Sequence, residues 1–125
     1  MTILYIEDDP INAMIISKFL ENDFSVEVAS TSEESLRLLS KNTYDLILLD
    51  LNLGHDNENG LSLFYKIQKL SGCDKIPVIA LTASSDPHER DSYLNAGFYG
   101  FIVKPVERIS LINYLKGIKE NARVE

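Results

Sequence analysis

One cysteine, Cys73, stands among the 125 residues, so no disulfide can close within the chain. That count fits a reducing compartment. Cys73 has only Lys75 as a close basic neighbour and reads as a bystander near a helix end, not as a reactive thiol. No apolar run approaches the roughly 20 residues of a membrane-spanning helix. No basic-then-apolar leader precedes the first element, because acids arrive by Glu7. Internal repeats and low-complexity segments are lacking too. Basic residues are the minority: 12 Lys and Arg against 19 Asp and Glu give a net charge of -7, which weighs against direct nucleic-acid binding. What remains is 45% hydrophobic and 25% charged, the composition of one soluble globular domain over residues 1–125, expected to be cytoplasmic. Its core is expected over about 2–119, with a short tail at 120–125.

Along the chain, short β-rich runs alternate with helix-period segments. The runs cover Ile3–Ile6, Ser25–Ala29, Asp45–Leu49, Pro77–Leu81 and Gly100–Val103. Helices are predicted over Pro10–Glu21, Ser32–Ser40, Gly60–Leu70, Pro87–Asn95 and Glu107–Lys119. Thr31, with Glu34 three residues later, has the pattern of a capping box, and Pro10 and Pro87 suit first-turn positions. The third and fourth runs are nearly continuous in apolar residues, as a sheet covered on both faces requires. The fold class is therefore α/β, a doubly wound five-stranded parallel sheet of (βα)5 type.

In such a sheet, ligands bind at the carboxyl ends of the strands. The first strand ends in Glu7-Asp8-Asp9, the third in Asp50, the fourth in Thr82-Ala83-Ser84, and the fifth in Lys104-Pro105. Carboxylates drawn from different strands repel one another, and a cation relieves that repulsion. An all-oxygen site with few protein ligands suits Mg2+, which keeps waters and pairs with phosphate oxygens. Lys104 supplies a point charge for a phosphoryl group, Thr82 a hydrogen-bond donor, and Asp50 a nucleophile able to become an acyl phosphate. Taken singly, Asp8 and Asp9 also suit a helix N-terminus, Thr82 a turn, and Phe101 a core. Asp50, a lone acid after "LILL", is harder to read as structural.

The segments "YIEDDPIN", "YDLILLD", "IPVIALTAS" and "AGFYGFIVKP" stand in one order and spacing, from about Ile3 to Lys119. In them the sequence resembles the receiver domain of two-component response regulators. That resemblance implies the flavodoxin-like strand order 2-1-3-4-5. It also implies a role at each matching position. Asp50 is the phosphoacceptor. Glu7 and Asp8 hold Mg2+, or Mn2+ in its place, with Asp8 the direct ligand and Glu7 acting directly or through water. Asn52 gives its backbone carbonyl to the metal. Thr82, the Ala83 amide and Lys104 bind the phosphoryl group, and Thr82 and Phe101 form the switch. The Lys104–Pro105 bond is expected to be cis, a conformation almost confined to X-Pro. Such a domain is no enzyme in the ordinary sense: it catalyses only its own phosphorylation and dephosphorylation.

After Asp50 the sequence departs from the common pattern. The segment "LGHDNENG" lacks the family's Met-Pro pair and is slightly longer, which bears on loop rigidity and on phosphoaspartate lifetime. Asp56 and Glu58 read as solvated loop acids, and His55 and His88 stay outside the site. Three rival classes share parts of this pattern. A Mg2+-dependent phosphohydrolase usually has a second acid two positions after its nucleophile, where this chain has Asn52. A scaffold that is never phosphorylated usually loses the acceptor, the acids or the lysine, all present here. An FMN binder shares the fold, but no phosphate-cradling loop follows the first strand.

On a helical wheel of residues 10–21, Asn12, Ala13, Ile16, Phe19 and Leu20 form one stripe. Ile11, Met14, Ile15 and Lys18 fall opposite, a patch suited to the helices of a histidine kinase or histidine phosphotransfer domain. The alternative is that Ile15 packs under a neighbouring loop. "ENARVE" after the fifth helix leaves no room for a DNA-binding domain within this chain, whether it stands alone or is part of a longer protein. Output is then expected by binding a downstream protein, through the face around Tyr93, Tyr99, Phe101 and the fifth helix. The same face, with the fourth helix and fifth strand, is the expected homodimer surface.

Overall fold

The computed structural model describes residues 1–52 and 60–124. Five strands and five helices alternate: β1 (Thr2–Ile6), α1 (Pro10–Leu20), β2 (Ser25–Ala29), α2 (Ser32–Lys41), β3 (Leu46–Asp50), α3 (Gly60–Gln68), β4 (Val78–Thr82), α4 (Pro87–Ala96), β5 (Gly100–Val103) and α5 (Arg108–Val124). All strand pairs are parallel, in the order β2-β1-β3-β4-β5, so the expected flavodoxin-like α/β fold is the one observed. Every residue of β3 and β4 is buried, whereas β2 at the edge alternates between covered and exposed positions.

The sheet divides two apolar layers. On one side Ile3, Tyr5, Leu48 and Leu81 pack against Ile16 and Leu20 of α1 and Leu111 and Leu115 of α5. On the other, Leu4, Leu49 and Ala80 pack against Leu39 of α2 and Leu63, Phe64 and Ile67 of α3. No residue of α4 is fully buried; this helix touches the second layer through Tyr93 and Ala96. It is the helix least anchored to the sheet.

The caps explain most helix starts. Asp9 accepts from the Ile11 amide with Pro10 in the first turn, Thr31 accepts from the Glu34 amide, and Asp86 accepts from the His88 amide ahead of α4. Gly97 ends α4 at φ +119°, a left-handed position that glycine occupies without strain.

Several boundaries differ from expectation. β3 and β4 each start and end one residue later, so Asp50 and Thr82 are the last residues of their strands. α3 stops at Gln68, because the chain tightens into i→i+3 turns such as Leu70 N–H to Ile67 C=O. Glu107 is the cap of α5, not its first residue: its carboxylate accepts from the Ile109 and Ser110 amides at 3.2 and 2.8 Å. The tail expected at 120–125 is instead helical through Val124, since nothing in "KENAR" breaks a helix. His55, Asp56 and Glu58 lie outside the described residues. Cys73 is buried in the turns after α3, and burial pushes its thiol pKa up, as suits an inert side chain.

Candidate functional site

Parallel register assembles the site. Ile6 pairs with Leu49, so the next residues, Glu7 and Asp50, stand side by side at the exits of β1 and β3. Asp50 in turn pairs with Leu81, and Leu81 with Ile102. Two residues beyond Ile102 the chain again points to that side of the sheet, which brings in Lys104. Thr82 and Phe101 have the other parity: Thr82 pairs with Val103 and Ala80 with Phe101, so both project toward α4. A charged group of side chains therefore lies on one side of the strand ends, and a hydroxyl–aromatic pair on the other.

Asp50 is only 2% exposed, yet its carboxylate is fully engaged. Lys104 Nζ lies 2.8 Å from Oδ2, and the Asn52 amide donates to Oδ1 at 2.9 Å. Lys104 is held by its own amide, which donates to the Thr82 carbonyl at 2.8 Å, and its peptide bond to Pro105 is cis. Glu7 is equally buried. Its Oε1 accepts from the Tyr5 hydroxyl at 3.0 Å, and Oε2 accepts from the Asp9 amide at 3.4 Å. Burial, then the hydrogen bond and negative charge of Asp50, raise the Glu7 pKa to about 7; the Tyr5 and Asp9 bonds pull the other way. Two neighbouring buried acids thus share their surroundings with one ammonium group.

Asp8 is half-buried and borders, with Glu7, Pro10 and Met14, a groove between α1 and the exit of β2. Thr82 is buried, and its Oγ1 accepts from the Ser84 amide at 3.1 Å, which leaves the O–H proton free to be donated. Ala83 and Asn52 are exposed, with their backbones at the rim. Phe101 is half-buried, and the Arg90 guanidinium lies over its ring, 4.5 Å from the centroid. On α1, Asn12 faces outward, departing from the stripe expected of it: its amide donates to the Asp9 carboxylate at 3.3 Å. Ile11, Met14 and Ile15 are 64%, 54% and 41% exposed. His88 is exposed and apart from the site.

Three features escape a linear reading. One is the Tyr5 hydroxyl, although strand alternation does put Tyr5 and Glu7 on the same side. Another is Gly60, whose amide donates to the Leu51 carbonyl at 3.3 Å and which presses against the chain at Asp50. The third is Arg90 over Phe101, for which no local signal exists.

Among the described residues, no three His, Cys, Asp or Glu side chains form a ready-made metal cage. The donor set fits a cation that takes few protein ligands and keeps its waters, as Mg2+ does. Likewise, no helix among the described residues is long and apolar enough to cross a membrane.

Relatives share this framework. The chain is 30% identical over 117 residues to the probable transcriptional regulator ycf29 of Porphyra purpurea, covering 93% of this chain and 55% of that protein. It thus spans about half the length of that relative. The receiver domain of the Francisella response regulator 1452 superposes with a TM-score of 0.84 at 28% identity, over 97% of this chain and 98% of that one. The receiver domain of the sensor histidine kinase PA1611 of Pseudomonas aeruginosa, which has a magnesium ion coordinated in its active site cleft, superposes with a TM-score of 0.80 at 29% identity. Coverage there is 92% of this chain and 93% of the other. The family model for the response regulator receiver domain matches residues 3–116, nearly the whole sheet and its helices, and the chain belongs to that family of signalling domains.

Proposed function

We propose that Asp50 accepts a phosphoryl group from a phosphohistidine on a histidine kinase or phosphotransfer domain, and that the change at Asp50 alters partner binding. The observation that carries this reading is the Lys104–Asp50 contact of 2.8 Å beside the buried Glu7. An acid buried at a strand exit, held by a lysine and open to an acidic neighbour, is built for a charged visitor, not for packing.

Asp8, Glu7, the Asp50 carboxylate and the Asn52 backbone carbonyl would hold Mg2+ or Mn2+. When bound, the ion neutralises charge on the oxygens of the transferring group. An Asp50 carboxylate oxygen forms the new bond to phosphorus as the P–N bond breaks. The electron pair stays on the imidazole, which takes up a proton, and Asp50 becomes an acyl phosphate. Lys104 exchanges its Asp50 partner for a phosphoryl oxygen. The Thr82 hydroxyl and the Ala83 amide donate to the other oxygens, Thr82 by turning in from the α4 side of the strand end.

Recruiting Thr82 vacates space on the α4 side, where Phe101 lies two residues before Val103, the strand partner of Thr82. The phosphoryl group then biases an equilibrium between two arrangements of Thr82, Phe101 and the weakly anchored α4. The donor docks on the exposed Ile11, Met14 and Ile15. Ile15 also borders a groove of about 310 Å³ shared with Asn12, Pro105 and Val106, which reaches Glu7 and Lys104. Output, to a downstream protein or a second copy, uses the face bearing the exposed Leu94, Tyr99, Ile109 and Tyr114.

Intact mass after incubation with acetyl phosphate and Mg2+ tests the proposal. One added phosphoryl group is expected, absent with EDTA and in Asp50→Asn. Absence of an adduct, together with absence of beryllofluoride binding, would refute it.

A further inference from the structure

Tyr5 brings a polar tip into the apolar layer between the sheet and helices α1 and α5. Its companions there are Ile3, Leu46, Leu48, Ile79 and Leu81 from the strands, and aliphatic residues from the helices. The residue is completely buried. A phenylalanine would fill that space without the cost of burying a hydroxyl, so the hydroxyl needs a partner. Its partner is Glu7 Oε1 at 3.0 Å, a buried bond between residues two apart on one side of β1.

The other Glu7 oxygen takes a long 3.4 Å bond from the Asp9 amide, and the carboxyl group also shares a hydrogen bond with Asp50. Glutamate has one more rotatable bond than aspartate, so a glutamate at this strand end has more ways to miss an ion. A directed donor on Oε1 removes that freedom. It also occupies one oxygen, leaving the second for an ion or for the water around it.

We propose that Tyr5 is a positioning residue for the cation site, acting solely through Glu7. This rests on the reading above that Glu7 helps to hold a divalent cation. Outer partners that orient a ligating carboxylate commonly change metal affinity by about 10-fold or more when removed. Tyr5 is the group placed to do this here, and it is contributed by the strand itself, from within the core.

The test is a double-mutant cycle on unphosphorylated protein, read as Mg2+ affinity from amide chemical-shift titration. Tyr5→Phe keeps the ring, and an unchanged spectral dispersion without Mg2+ verifies that the fold is kept. The expected result is a Kd raised about 10-fold in Tyr5→Phe. In a Glu7→Gln background, the same substitution should cause no further change. A Tyr5→Phe protein that binds Mg2+ as the wild type does would overturn the proposal. So would an equal loss in the Glu7→Gln background, because the effect would then bypass Glu7. A wild-type protein that binds no Mg2+ would instead overturn the cation site itself, so the two failures are distinguishable.

Discussion

Lys104 Nζ and Asp50 Oδ2 lie 2.8 Å apart across 54 residues of sequence, joining the exits of β3 and β5. Asp50 is almost wholly buried, while the Lys104 side chain keeps 25% of its surface. The lysine is therefore the mobile partner. It can follow a phosphoryl group without leaving the acid's neighbourhood. In the resting protein it offsets the charge of Asp50 and the proximity of Glu7.

Removing that ammonium group leaves two adjacent acids without their cation. Breaking a fully buried pair costs about 3–5 kcal/mol, and the partial exposure of Lys104 lowers the figure. Lys104→Met is expected to lose roughly 2–3 kcal/mol at neutral pH without divalent cations, measured by urea denaturation. Asp50→Asn in the same background should recover part of it, by relieving Glu7. A Lys104→Met protein as stable as the wild type would show that the pair contributes nothing at rest.

Glu7 links stability to pH. Its folded pKa of about 7 lies above the ordinary value of 4.5, so folded Glu7 holds a proton that unfolded Glu7 has released between those values. Stability from this group is complete below about pH 4.5 and is lost as pH rises through 7. The loss is expected to be about 2–3 kcal/mol for the apoprotein. Glu7→Gln should flatten the slope across that window, and Mg2+ at neutral pH should offset the loss. A slope of unchanged size in Glu7→Gln would assign it to other groups.

Gly60 begins α3 against the backbone that leaves Asp50. A Cβ placed there would lie 2.6 Å from Leu51 Cα and 2.9 Å from the Asp50 carbonyl oxygen, both backbone atoms that cannot swing aside. Gly60→Ala is expected to destabilise the protein by about 2–3 kcal/mol despite alanine's higher helix propensity. It should also slow phosphorylation by acetyl phosphate, because the strand exit must shift. Gain of stability in thermal melts would contradict this placement.

Arg90 covers the Phe101 ring at 4.5 Å from its centroid and belongs to the helix with no buried residue. Losing this contact is expected to cost about 0.5–1 kcal/mol in Arg90→Ala. In a cycle with Phe101→Leu, the coupling should account for most of that loss. Additive effects of the two substitutions would mean the guanidinium and the ring do not interact in solution.

Much of the fold and part of the site could be read along the chain. Alternation of β-rich runs with helical periods, Thr31 three residues before Glu34, Pro10 and Pro87 at helix starts, and the apolar "LILL" ahead of Asp50 are local signals. Each acts within a few residues, through backbone hydrogen bonding or strand parity. They suffice for a doubly wound sheet and for naming the residues at its strand exits.

Pairing across strands is a different matter. Whether Glu7 stands beside Asp50, and whether Lys104 reaches it, depends on parallel register summed over four strands. The pressure of Gly60 on Asp50 and the stacking of Arg90 on Phe101 arise only when separate elements close on one another. The sequence by itself determined the elements and the acid at the end of β3, because those follow from short-range sterics and periodicity. The tertiary structure alone decided the charge environment of that acid, because electrostatics and close packing depend on distances in space that no spacing in the chain encodes.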